Sequence, residues 1–410
     1  MRTVEEHQRV VADLITAAPP ATVGLAEAEG RVLAGDVAAP LSLPVFDNSA
    51  MDGYAVRAED VAGADAEHPV RLPVAEDIPA GRTDPLTLAP GTAHRIMTGA
   101  PLPAGATGVV AVELTDGGTE TVEIRSAARE GQYIRRAGED VAAGTTVLHS
   151  GHLVTPAALG LAAALGLGSL TVVPRQRVLV MSTGSELVSA GTDLKPGQIY
   201  ESNAIMLAAA VREAGGEVVA NPTSSDDVVQ FSAVLEGYLN DPAGQVDLII
   251  TSGGVSAGAY EVVKDAFGGG AADGRRPSAV EFVKVAMQPG MPQGAGLING
   301  TPIITLPGNP VSALVSFEVF VRPALRAAMG LPDPHRPRRS AVLTEGLNSP
   351  KGKRQFRRGV YDAATGTVTT YGPPASHHLR WLASANCLLE IAEDVTEMAA
   401  GDQVQLWDLT

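Results

Sequence analysis

The sequence predicts a multidomain α/β plus β protein, an elongated subunit built around a parallel-sheet α/β domain. Three observations predict it. Continuous apolar runs of strand length alternate with helical patterns between about residues 176 and 330. Short Val, Ile and Leu runs, broken by Gly, Pro, Asp and Thr, fill residues 47–146 and return from about 335 onward. A chain of 410 residues also exceeds what one hydrophobic core organises. The expected parts are a helical, extended N-terminal domain (1–46 and 147–175), an inserted β-rich domain (47–146), the α/β domain (176–330) and a C-terminal β domain (331–410).

Thr3 and Glu6 form a capping-box pattern around Val4, Val10, Val11, Leu14 and Ile15 at helical spacing, and Ala18-Pro19-Pro20 stops that helix. Phe46-Asp47-Asn48-Ser49-Ala50-Met51-Asp52-Gly53-Tyr54-Ala55 packs acids, an amide, a hydroxyl and a glycine into ten residues, which reads as a shaped loop. Phe46, Met51 and Tyr54 are expected to anchor it while its carboxylates face a cleft; a tight turn with self-capping side chains is the plainer alternative. Thr155-Pro156 restarts a helix, with Thr as N-cap and Pro at the first position, and Leu159, Leu161, Leu165 and Leu167 read as its core face. The β-rich segment therefore reads as an insertion between two parts of one domain.

Three apolar strands follow: Arg177–Ser182, Val246–Thr251 and Pro302–Leu306. Each delivers a Gly-bearing polar loop: Thr183-Gly184-Ser185-Glu186, Ser252-Gly253-Gly254-Val255-Ser256, and Pro307-Gly308-Asn309-Pro310. In a parallel sheet those carboxyl ends share one rim, where ligands bind. Asn309 as N-cap and Pro310 at the first position open a helix through Met329, with Ser312 in its first turn. No internal repeat or low-complexity tail is visible.

A formal net charge of −16 argues against nucleic acid as a partner, since phosphate-backbone affinity needs Lys and Arg. No apolar run is long enough for a membrane span, and the acidic, amphipathic start does not resemble a signal peptide. The single cysteine, Cys387, leaves no internal disulfide, fits a reducing compartment and reads as a small core residue. The cytoplasm is the expected location. Lys351, Lys353, Arg354, Arg357 and Arg358 occupy five of eight positions, either as a solvated hairpin or as an anion-facing edge.

Ser252-Gly253-Gly254-Val255-Ser256-Ala257-Gly258 runs from a strand toward a helix beginning near Tyr260, a setting in which backbone N–H groups approach an anion. Neither a Walker A loop nor a GxGxxG sequence is present. Gly254–Gly258 also fits the GxSxG elbow, with His335, His377 and His378 formally available, but a serine hydrolase leaves the other two loops unexplained. Asp52, Asp140, Glu186, Asp226 and Glu261 all fall at loop positions. Converging on a phosphate they would suit Mg²⁺; taken singly they are ordinary solvated acids, and spacing alone does not bring them together. His149 and His152 lack further ligands at metal spacing and read as structural.

Four blocks resemble the molybdopterin molybdenumtransferase family, bacterial MoeA and the matching domain of gephyrin. They are LPVFDNSAMDGYAV at 43–56, RIMTGAPLPAGATGVVAVE at 95–113, STGSELV with GQIYESN within 182–203, and TSGGVSAG through LPGNPVS within 251–312. The resemblance runs in order through nearly the whole chain. It implies a homodimer of four-domain subunits with each active site shared between subunits. The substrates would be molybdate and adenylylated molybdopterin, with Mg²⁺-dependent release of AMP. It assigns Asp52, Thr98, Asp140 and Glu186 to catalysis, and Glu186, Asp226 and Glu261 to the metal. Ser252, Gly253, Gly254, Ser256, Pro307, Asn309, Ser312, Arg358 and Ser376 would bind substrate, the last three around molybdate with Phe356-Arg357-Arg358-Gly359 and His377. A pterin adenylyltransferase is an implied partner. The alternatives are pterin adenylyl transfer and a non-catalytic pterin-binding scaffold. Two departures stand out: Gln288-Pro289-Gly290-Met291-Pro292 replaces the common Lys-Pro-Gly-Lys-Pro, with Lys284 four residues earlier, and Ala259 replaces a usual acid.

Overall fold

A computed structural model describes residues 1–241, 244–254, 262–267 and 279–410. Its contacts divide the chain into two compact units: Val23–Glu29 with Leu33–Leu170, and Met1–Thr22 with Gly30–Val32 and Thr171–Thr410.

The first unit is built on a five-stranded sheet, in the order Gly108–Ala111, Gly53–Val56, Ala93–Ile96, Val70–Ile78, Thr121–Ile124. Gly53–Val56 lies between two antiparallel neighbours, and its residues are buried on both faces: Tyr54 and Val56 pack with Val110, Val122 and Ile124, and Ala55 with Ile78, Ile96 and Val109. A Cβ at Gly53 would stand 1.9 Å from the Val110 carbonyl oxygen, so only glycine lets this strand start right after Asp52. Of the expected loop anchors Tyr54 alone is fully buried, its hydroxyl donating to Gly118 O at 2.8 Å. Phe46 is 48% exposed and Met51 half-buried, because hydrogen bonds rather than apolar side chains pin the loop. The Ser49 hydroxyl donates to Met51 O (2.6 Å), and the Asn48 amide to Phe46 O (3.1 Å).

The helix Pro156–Ala164 begins as expected, with the Thr155 hydroxyl accepting from Ala158 N at 3.2 Å. Its buried face differs. Ala158, Ala162 and Leu165 are buried, whereas Leu159, Leu161 and Leu167 stay half-exposed. Two alanines and Leu165, not the other three leucines, meet the core.

In the second unit a mixed sheet runs Glu217–Ala220, Arg177–Thr183, Leu248–Ser252, Thr301–Leu306, Pro292–Ile298, Ala279–Lys284. The first four strands are parallel and apolar, as the continuous runs predict, and the register sets Ser182 beside Ser252 and Ser252 beside Leu306. The last two are antiparallel and absent from the sequence reading. Their glycines explain why: a Cβ at Gly294 would meet Thr305 Oγ1 at 2.1 Å, and one at Gly296 would meet Ala279 O at 2.0 Å. A segment that reads as turn-rich is glycine-rich because its neighbours leave no room.

The helix from Pro310 changes pitch over Phe317–Val321 before resuming as Arg322–Ala328. Pro323 has no N–H for the Val319 carbonyl; the Gln8 amide donates there instead at 3.1 Å, and Arg322 N donates to Phe317 O. Asn309 sits at the N-cap position with Pro310 after it, but its side chain makes no capping bond. The Val4–Leu14 helix carries the full capping box, and Val4, Val11 and Ile15 enter the core that holds Val178 and Phe320. His7 is fully buried edge-on to the Phe320 ring, centroids 4.7 Å apart.

Arg354–Asp362, Thr367–Thr370, Arg338–Leu343, Gln403–Asp408 and Cys387–Ile391 form a further sheet whose last member also pairs with the first, leaving no free edge. Cys387 is buried in it, and burial pushes its thiol up to about 12. Met287–Gln288 adds in parallel to Arg354–Gln355. No helix among the described residues is long and apolar enough to cross a membrane.

Candidate active site

The Asp47–Asp52 loop is built to hold carboxylates ionised. Asp52 Oδ1 accepts both the backbone N–H and the hydroxyl of Thr98, each at 2.7 Å. Those two donors, the N–H first, hold the exposed Asp52 carboxyl below the usual range. Asp47 is held down likewise, first by the Ala137 N–H and then by the Arg136 guanidinium, both at 2.7 Å. These bonds, with Asp140 N donating to Leu43 O at 3.0 Å, lay the segment with exposed Asp140 alongside the loop that leads to Asp52. The sequence-predicted Asp52 and Thr98 are therefore direct partners.

In the second unit the three strand-end loops do share one rim. A cavity of about 780 Å³ opens there, edged by Glu186, Glu201, Asp226, Gly253, Gly254 and Asn309. Gly253 and Gly254 have φ of +96° and +70°, and a Cβ on Gly253 would stand 2.8 Å from Thr183 O, so a bare backbone faces the cavity. Ser252 is buried, and its hydroxyl is already engaged: it accepts from the Asn203 amide at 2.8 Å. The same amide donates to Gly308 O at 2.6 Å, clamping the second loop to the third. Ser256 and Glu261 lie outside the described residues, as do Ala259 and most of the GxSxG elbow.

Glu186 is exposed, and Asp226 accepts Ser185 N at 2.9 Å. Among the described residues no three His, Cys, Asp or Glu groups come together as a metal cage. Mg²⁺ does not demand one, since it keeps waters and takes one or two carboxylates beside substrate phosphates. Glu186 and Asp226, edging one cavity, are the pair that could hold it. His149 and His152 stack edge-on at 5.6 Å, apart from these groups in sequence and on the other unit.

A second cavity, about 470 Å³, shares Gly308, Asn309 and His377 with the first. Pro307, Ser312 and Ser376 line it as well as Asn309, which brings four predicted substrate residues together. The Ser376 carbonyl accepts Val311 N at 3.0 Å, fixing that loop over the helix start. Gln288 and Met291 line the same cavity, whereas Lys284 is exposed on the antiparallel edge. Arg358 behaves differently from expectation. Its guanidinium is buried and donates to three backbone carbonyls, Ala375 and His378 at 3.2 Å each and Pro373. It builds the 373–378 loop rather than presenting a free fork.

The sequence matches the family models for the MoeA N-terminal region (domain I and II) over residues 2–166, a probable molybdopterin binding domain over 179–327, and the MoeA C-terminal region (domain IV) over 340–409. It is 72% identical over 411 residues to molybdopterin molybdenumtransferase 2 of Mycobacterium tuberculosis (strain ATCC 25618 / H37Rv), covering 100% of both chains. The chain belongs to the molybdopterin molybdenumtransferase family. A more distant molybdenumtransferase, from Bacillus subtilis (strain 168), is 35% identical over 94% of this chain and 88% of its own. The crystal structure of the molybdopterin biosynthesis moea protein from Pyrococcus horikosii superposes with a TM-score of 0.78 at 29% identity, covering 100% and 99% of the two chains.

Two residues that shape the first cavity escaped the sequence reading. Glu201 is buried, and its Oε1 accepts the Ser182 hydroxyl (2.7 Å) and Ala204 N (2.6 Å), tying the first strand end to the helix Asn203–Glu213. Asn203 supplies the clamp just described. Both lie in the quoted GQIYESN block, and the signal available was an acid just before an apolar helix and an amide at its first position.

Proposed function

We propose that this molybdenumtransferase inserts molybdate into adenylylated molybdopterin with Mg²⁺-dependent release of AMP. The observation behind this is the pair of adjoining cavities with opposite character. One is edged by Glu186, Glu201 and Asp226 beneath a bare glycine backbone; the other holds Ser312, Ser376 and Asn309 and has no carboxylate among its described lining residues. A phosphoanhydride suits the first and a tetrahedral oxyanion the second. The backbone at Gly253 and Gly254 admits the phosphates closely, and Asn203 holds the two loops at fixed separation. Glu186 and Asp226 would hold Mg²⁺, which when bound neutralises phosphate charge and improves AMP as a leaving group. An oxygen from water or molybdate bonds one phosphorus of the anhydride as the bridging P–O bond breaks, giving AMP and the pterin monophosphate. The two dithiolene sulfurs bond molybdenum as molybdate oxygen leaves with protons as water. Asp52, kept ionised by Thr98, acts as the electrostatic or proton-accepting partner together with Asp140.

In this proposal the enzyme is a cytoplasmic homodimer whose active sites are shared between subunits, fed by a pterin adenylyltransferase. The test is AMP release from adenylylated molybdopterin with Mg²⁺, with and without molybdate. Molybdate-dependent release is expected. Tight binding without release would point to a pterin-binding scaffold, and ATP-dependent formation of the adenylylated pterin to an adenylyltransferase.

A further inference from the structure

We infer that Lys353 supplies the positive charge of the oxyanion cavity, in place of any cation from Gln288 or Met291. This rests on reading that cavity as the molybdate subsite. Five basic residues crowd residues 351–358, and the structure accounts for the others. Arg354 is held by three carboxylates, Glu5 at 2.6 Å, Glu393 at 2.8 Å and Glu390 at 3.4 Å. Arg357 donates to the Asn348 carbonyl at 3.5 Å, and Arg358 is spent on the 373–378 loop. Lys351 is exposed and does not line the cavity. Lys353 does line it, is half-buried, and its ammonium has no ion-pair or hydrogen-bond partner among the described residues.

The register explains how it gets there. Met287 pairs with Arg354 and Gln288 with Gln355, and Arg354 N donates to Ala286 O at 2.9 Å. Lys353 thus enters beside the Met287–Met291 wall. The same pairing engages the Gln288 side-chain oxygen, which accepts the Gln355 amide at 3.3 Å, so Gln288 brings at most a neutral donor to the cavity. Ser312 and Ser376 offer hydroxyls, and Lys353 is the sole cation of Lys or Arg type among the described lining residues. In a chain of net charge −16, a cavity with one ammonium and no carboxylate concentrates a small dianion that the rest of the surface repels. Lysine suits this as a point charge that needs no planar match.

The experiment is calorimetric titration of the full chain with sodium molybdate alone, and in parallel with AMP and Mg²⁺. Lys353→Met should weaken molybdate by about tenfold or more, as expected for losing one close charge in a partly screened site. Lys353→Arg should retain most of the affinity, and Met291→Lys should restore it in the Lys353→Met background, since both side chains reach one cavity. AMP binding should not change in any variant. Molybdate binding by Lys353→Met equal to that of the unaltered chain, with Ser312→Ala weakened, would overturn the role of Lys353 and leave the subsite standing. Molybdate binding that neither Lys353→Met nor Ser312→Ala alters would overturn the subsite with it.

Discussion

Replacing Arg358 by Met tests whether a buried guanidinium acts on the oxyanion through a loop. Three carbonyls, on Pro373, Ala375 and His378, lose one charged donor, and the loop they belong to carries Ser376 and His377 into the cavities. A hydrogen bond to a charged group contributes about 1.5–3 kcal/mol, so three give a gross loss of about 5–9 kcal/mol. The loop can swing out and let water satisfy those carbonyls, which returns most of that. What remains is the cost of re-ordering the segment on binding, about 1–2 kcal/mol for each residue fixed. Two residues' worth, about 2–4 kcal/mol, corresponds to a molybdate affinity roughly 30- to 1,000-fold weaker. The assay is a molybdate titration paired with amide hydrogen exchange over residues 373–378, with AMP binding as the control. Exchange there should accelerate, and AMP should change far less than molybdate. Arg358→Lys should not rescue, because one ammonium cannot reach three divergent carbonyls that a planar fork spans. An unaltered molybdate titration, or full rescue by lysine, would refute the reasoning.

Asp52→Ala should leave the fold intact, since the side chain is exposed, yet abolish AMP release; normal turnover would end its catalytic assignment. Thr98→Val removes the hydroxyl that helps depress the Asp52 carboxyl, so the acid limb of the rate profile should move to higher pH, and an unmoved limb would disconnect the two residues. Mixed dimers of Asp52→Ala and Glu186→Gln chains should regain AMP release if each site draws on two subunits, and no recovery counts against sharing. Burial first, then the Arg2 charge, lowers His7 from 6.5 to about 4. Between those values the unfolded chain binds a proton that the folded chain refuses, so stability is lost as pH falls from about 6.5 to 4, by roughly 3 kcal/mol in all. Urea midpoints against pH should show that slope reduced in His7→Phe; equal slopes would refute it.

Periodicity made the parallel strands legible, because residues 178–181 and 248–250 are buried on both faces and therefore apolar without alternation. The rim followed from strand direction alone. The antiparallel edge at 279–298 was hidden, since Gly294 and Gly296 are there for close packing that only the partner strands reveal. Arg358 looked like an anion ligand because guanidinium chemistry is visible in a sequence, whereas three backbone carbonyls from residues 373–378 are not. The Asp52–Thr98 pair was named by resemblance across 46 positions; no spacing rule joins them, and a strand pairing of Gly53 with Ile96 does. Glu201 and Asn203 were passed over because capping residues and clamps share the same residue types.

The two-unit division has a consequence for synthesis. The Val4–Leu14 helix leaves the ribosome well before its partner Phe320, which comes 313 residues after His7, beyond the whole Leu33–Leu170 unit. At about 5–20 residues per second, its apolar stripe waits roughly 15–60 s for something to pack on, while the β-rich unit can close from contiguous chain. This early segment is thus among the last seated, and Gln8 reaches the Val319 carbonyl only then. Nascent chains should pass through a stage with one finished unit and an unmatched helix trailing from its front, the stage at which a chaperone has most to cover.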